Sequence, residues 1–101
     1  MNEQEFEALA AKTLAGLAEA IEEAGGDAEL SGGILTVISD DDRTFLLNKH
    51  APLRQLWYSS PASGAHHYEF KGTWVSTRDG TSLTERLAKE LAAAGIEAEF
   101  A

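Results

Sequence analysis

Cysteine is absent from the 101 residues. Its absence excludes disulfides, zinc knuckles, thiolate catalysis and cysteine-held iron–sulfur clusters. Proline occurs twice, as Pro52 and Pro61, and no repeat, low-complexity stretch or linker interrupts the chain. No apolar run approaches the roughly 18 residues that a membrane helix needs. Basic residues are scarce, 8 Lys and Arg against 17 Asp and Glu, for a net charge of −9. A chain this acidic is repelled by phosphate backbones, which makes nucleic acid a poor partner. No nucleophile elbow, phosphate-binding loop or HExxH helix is present, so no catalytic arrangement emerges. The acidic start, Met1-Asn2-Glu3-Gln4-Glu5, is unlike a signal or transit peptide, and a cytoplasmic protein without a membrane segment is expected.

What is present is ordinary globular material, 44% hydrophobic and 25% charged, at a length that fits a single domain over 1–101. Phe6, Leu9, Ala10, Leu14, Leu17, Ile21 and Ala24 recur at three- and four-residue intervals, which predicts a helix from Asn2 to about Ala24, stopped by Gly25-Gly26. Short strands are predicted at Ala28–Leu30, Ile34–Ile38, Thr44–Asn48, Gln55–Ser59, His66–Lys71 and Thr73–Thr77. Ser31-Gly32-Gly33 joins the first two as a hairpin, and Gly72 makes a bulge or turn between the last two. A second helix runs from Ser82 to about Ala94, with a Ser82/Glu85 capping box and a buried stripe of Leu83, Leu87 and Leu91. The tail Ile96–Phe100 reads as a short strand or a packed extension. The expected fold is α+β: a two-layer sandwich with both helices on one face of a five- to six-stranded antiparallel sheet and the other face left to water.

Charge is unevenly distributed. Residues 1–42 hold eleven acids and one base, a net of −10, whereas residues 43–101 come to +1. Glu19, Glu22 and Glu23 fall on one side of the first helix, away from its apolar stripe, and Asp27 and Glu29 follow at once. Negative charge at a helix C-terminus opposes the macrodipole, so a sequence shaped by stability alone would place Lys or Arg there. Two readings stay open: a solvated, solubilising face, or a surface for hard cations or a basic partner. Asp40-Asp41-Asp42 lacks the glycine and distal glutamate of a calcium loop and reads as a turn.

Strand parity addresses Trp57. Burying Gln55 and Ser59 costs more than exposing an indole, so Leu56 and Tyr58 face the core and Trp57 faces outward. Burial of Trp57 under a loop is the alternative. Trp74 stays ambiguous by the same test. His66 and His67 point to opposite faces and cannot chelate one ion together; His67 shares its parity with Glu69 and is placed at the surface, His66 with Tyr68 and Phe70.

In this order and spacing, Gly32-Gly33-Ile34-Leu35-Thr36-Val37 after an acidic segment, Asn48-Lys49 with Pro52 and Gln55-Leu56-Trp57, Ser59-Ser60-Pro61, His67-Tyr68-Glu69-Phe70, Trp74-Val75 and Arg78-Asp79-Gly80-Thr81-Ser82-Leu83 resemble the frataxin family, specifically its short bacterial CyaY-type branch. The resemblance covers nearly the whole chain. It implies the fold just derived and a role in iron–sulfur cluster biogenesis. It implies weakly bound Fe2+ and Fe3+ on Glu19, Glu22, Glu23, Asp27 and Glu29, with Glu3 and Glu7 as additional ligands, and no organic cofactor. It further implies a monomer, with iron-driven oligomers in some settings, that docks on the cysteine desulfurase and its scaffold protein through Asn48, His50, Gln55, Trp57 and His67. Two departures from the family pattern stand out. The segment Ala24-Gly25-Gly26-Asp27 is shorter and less acidic than in well-known bacterial members, implying lower iron capacity. His67 stands where an arginine is common in the eukaryotic branch, implying pH-dependent partner affinity. A non-catalytic regulator is the expected function. Iron storage and ferroxidase activity are the alternatives, the latter disfavoured because dedicated ferroxidases use Glu-x-x-His pairs that this sequence lacks.

Overall fold

A computed structural model describes residues 1–100 of the chain. Helix α1 spans Glu3–Glu23, strands β1 to β6 span Asp27–Ser31, Ile34–Ile38, Thr44–His50, Gln55–Ser60, Gly64–Phe70 and Trp74–Ser76, and helix α2 spans Leu83–Ala93. The six strands form one antiparallel meander, ordered β1-β2-β3-β4-β5-β6. Both helices lie on one face, as the two amphipathic stripes require.

Each boundary has a local cause. Asn2 opens α1 with a full capping box: its side chain accepts the Glu5 N–H at 2.8 Å, and Glu5 accepts the Asn2 N–H at 3.0 Å. At the other end Gly25, at φ +85°, lets Gly26 N–H reach back to the Ile21 carbonyl at 2.9 Å. A side chain at Gly26 would strike Ile21, its Cβ falling 2.6 Å from Ile21 Cγ2. Helix α2 closes in the same way, through Ile96 N–H to the Leu91 carbonyl at 2.8 Å. Its start carries only half of the expected capping box: Ser82 Oγ accepts the Glu85 N–H at 3.3 Å, without a return bond from Glu85.

The core forms between the layers. Phe6, Ala10, Leu14, Leu17, Ala18 and Ile21 of α1 and Leu83, Leu87 and Leu91 of α2 meet Leu35, Val37, Phe45, Leu47, Leu56, Tyr58 and Tyr68 of the sheet. Trp74, ambiguous by parity, is buried at 6% exposure, edge-on to Phe6, with its indole N–H donating to Thr13 Oγ1 at 3.2 Å. The tail is a packed extension, not a strand: Ile96 and Ala98 are buried against the core. The last hairpin departs from the expected bounds. β5 begins two residues earlier, at Gly64, and β6 shrinks to three residues because Lys71 N–H bonds the Thr73 carbonyl across Gly72. At the end of β5, Phe70 pairs with Trp74 and is 37% exposed.

Candidate functional site

Register and side-chain alternation build the open face of the sheet. Ile34 on β2 pairs with Asn48 on β3, Asn48 with Trp57 on β4, and Trp57 with His67 on β5, so these four residues form one row across the uncovered face. His50 pairs with Gln55 in the next row. All five residues expected at a docking surface (Asn48, His50, Gln55, Trp57 and His67) therefore come together, with Leu56 and Tyr58 buried beneath them. Trp57 is outward but not free-standing. Its indole stacks between His50, at 3.8 Å between ring centroids, and His67, at 4.2 Å, and its N–H donates to Gln55 Oε1 at 2.9 Å. The stack fixes the indole in place at the centre of the face. A pre-ordered aromatic loses little conformational entropy when a partner covers it.

The acidic residues divide between two faces that meet at one edge. Glu19, Glu22 and Glu23 are exposed along the last turns of α1. Asp27 and Glu29 pair with Ile38 and Thr36 and project onto the open face, while Ala28 and Leu30 project toward α1. The acids thus wrap the β1 edge from above and below. None of the five forms an ion pair with a base among the described residues, and α1 carries no basic residue in its last turn. Nor does any group of three acids or histidines converge into a ready-made metal cage among the described residues. Oxygen ligands spread over an open surface suit hard cations held loosely, partly through water.

Glu3 and Glu7 do not join this group. At about 1.5 Å of rise per residue they lie roughly 24 and 18 Å along the helix from Glu19. Glu7 is ion-paired with Lys49, whose stem runs against Gly33. The tail adds two acids that sequence reasoning missed: Glu97 and Glu99 share a shallow depression with Glu23 beside Ala20 and Ala24. Their alternation with Ile96 and Ala98 was the available signal.

A second polar cluster, absent from the sequence reading, lies under the sheet. Glu90 of α2, with its side chain 10% exposed, accepts hydrogen bonds from Tyr58 Oη at 2.7 Å, Ser60 Oγ at 2.6 Å and Ser63 Oγ at 2.6 Å, with Arg86 3.6 Å away. Burial alone would raise the Glu90 carboxyl. The three hydroxyls and the guanidinium outweigh it and hold the group below its usual range. Tyr58 is pushed up, by burial and by its bond to that carboxylate. Ser63 has one hydroxyl proton, and it goes to Glu90, so the 2.8 Å contact between Ser63 Oγ and His66 Nε2 requires the imidazole to donate. His66 therefore does not activate Ser63 as a base would, and a nucleophilic reading of this Ser–His–Glu grouping fails. Burial, reinforced by Arg86, lowers the His66 pKa and keeps the ring neutral.

Known proteins resemble this chain in sequence and in fold. The family model described as a frataxin-like domain matches residues 1–96. The iron–sulfur cluster assembly protein CyaY of Vibrio cholerae is 35% identical over 92 residues, covering 89% of this chain and 88% of that protein. The frataxin from Psychromonas ingrahamii superimposes with a TM-score of 0.91 at 28% identity, over 100% of this chain and 99% of that one. The trimeric frataxin of the yeast Saccharomyces cerevisiae, complexed with ferrous iron, gives a TM-score of 0.64 at 34% identity, over 93% and 85% of the two chains. The chain spans less than half the length of the mitochondrial relatives that it also matches.

Proposed function

The chain belongs to the frataxin family, and from that membership we propose that it binds iron weakly and regulates iron–sulfur cluster assembly, docking on the cysteine desulfurase and its scaffold protein without catalytic turnover. The observation that carries the reading is the adjacency of two surfaces, an acidic one along the β1 edge and an aromatic one on the open face of the same sheet. Five unneutralised carboxylates, Glu19, Glu22, Glu23, Asp27 and Glu29, stand beside an open face centred on a pre-stacked Trp57. Carboxylate oxygens suit Fe2+ and Fe3+ as hard or borderline cations, and the unneutralised charge steers a basic partner surface toward the same edge. A central, desolvatable indole is the usual anchor of such an interface.

The metal half is tested by adding Fe2+ anaerobically and following amide resonances. Residues 19–29 are expected to broaden first, and Glu22→Lys with Glu23→Lys is expected to remove most of that broadening. The double substitution also relieves self-repulsion and completes the helix dipole, so its melting temperature is expected to rise by a few degrees. Broadening centred on His66 and His67, or a melting temperature that does not rise, would contradict the assignment of the ridge.

A further inference from the structure

The two edges of the sheet are finished differently. Beyond β6 the chain folds back, with Val75 bridged to Ser82 and Ser76 N–H bonded to the Thr81 carbonyl, so that edge is covered. Beyond β1 no strand pairs among the described residues. Gly32 and Gly33, at φ +59° and +80°, close a two-residue turn, and Lys49 N–H bonds the Gly33 carbonyl from β3. Ile34 therefore directs its peptide groups toward β1, and by alternation Asp27, Glu29 and Ser31 direct theirs toward β2. By the same alternation the N–H and C=O groups of Ala28 and Leu30 face outward, away from β2. Leu30, 40% exposed, lines a groove along this edge with Ala15, Ala18, Glu19, Glu22 and Glu23 of α1.

We propose that the free edge of β1 takes up an extended, Lys- or Arg-bearing segment of a partner polypeptide as a seventh strand. Main-chain pairing to Ala28 and Leu30 supplies the attachment. Side-chain alternation supplies the selectivity. One face of the added strand lies over Ala15, Ala18 and Leu30, between the carboxylates of Glu19, Glu22 and Glu23, and takes small residues without negative charge. The other lies beside Asp27 and Glu29 and takes cations. The same carboxylates repel a second copy of this acidic chain, the usual hazard of an open edge. Strand addition here requires no iron, so it is testable apart from metal binding.

The probe is an eight-residue peptide alternating Val and Lys, together with two versions N-methylated on every Val or on every Lys. Because alternate residues face β1, one methylated version is expected to bind within a few-fold of the parent and the other at least tenfold more weakly. The Ala28 and Leu30 amides are expected to gain hydrogen-exchange protection with the parent peptide. Ala28→Pro removes an outward donor without breaking a ladder bond and is expected to weaken binding at least tenfold. Should that variant misfold, the methylated pair decides alone. Equal binding by both methylated peptides would mean that charge alone holds the segment and would overturn the proposal. Concentration-dependent protection of Ala28 and Leu30 without peptide would assign the edge to self-association and overturn it equally.

Discussion

Replacing Trp57 by Ala is expected to weaken binding to a desulfurase–scaffold complex by roughly 30-fold, about 2 kcal/mol, while leaving the protein folded. The indole sits on the open face, so truncation removes only its stacking on His50 and His67 and the hydrogen bond to Gln55. Stacked aromatic contacts are worth about 0.5–1.5 kcal/mol, a modest loss for a domain of this size. Trp74→Ala provides the internal contrast. That ring is buried against Phe6 and Phe70, and truncation of a buried Trp costs about 3–5 kcal/mol. Urea unfolding of the two variants, with titration against the purified complex, separates the roles. A Trp57→Ala protein that is badly destabilised yet docks normally would reverse them.

Glu90→Ala is expected to be among the most damaging single substitutions outside the apolar core, at about 3 kcal/mol or more. It strands the buried Tyr58 and Ser60 hydroxyls, while the exposed Ser63 turns to water, and hydrogen bonds to a charged group contribute about 1.5–3 kcal/mol each. At this size such a loss lowers the melting temperature by roughly 10 °C or more. The same cluster sets an acid limit. His66 is lowered from 6.5, so between its folded pKa and 6.5 the unfolded chain binds more protons, and stability falls as pH drops below 6.5. Glu90 is lowered from 4.5, and its contribution, complete above 4.5, is lost as pH falls through the folded value. Urea midpoints between pH 7 and 3 are expected to fall in both windows. His66→Gln should flatten the first, and Glu90→Gln the second. Unchanged slopes in these variants would place the acid sensitivity elsewhere.

The contrast between Trp57 and Glu90 shows what was legible in the sequence. Trp57 could be placed because its strand neighbours Gln55 and Ser59 are polar, and burying them is costly; alternation carried the inference without knowledge of the fold. The helices and the strand order were legible for the same reason, since apolar spacing and glycine turns act locally. Glu90 is buried by residues 30 and 32 positions away, Ser60 and Tyr58. The one available signal was its position three residues after Leu87, at the margin of the buried stripe, where a carboxylate needs partners. The Glu7–Lys49 pair, 42 residues apart, leaves no local trace, so nothing in the sequence countered the family resemblance that named Glu7 as an additional ligand, and the structure sets it apart from the ridge. The free β1 edge was equally hidden, because it depends on which strands lack a neighbour.

The central claim, that this frataxin-family chain regulates cluster assembly through its open sheet face, is tested most directly by the rate of cluster formation on the purified scaffold. The desulfurase, Fe2+ and a sulfur donor are supplied, and the protein is either present or absent. The account predicts that the wild-type chain changes the rate and that Trp57→Ala, still folded, leaves it close to the rate without protein. A rate unaffected by the wild-type chain at concentrations well above those of the scaffold would contradict it.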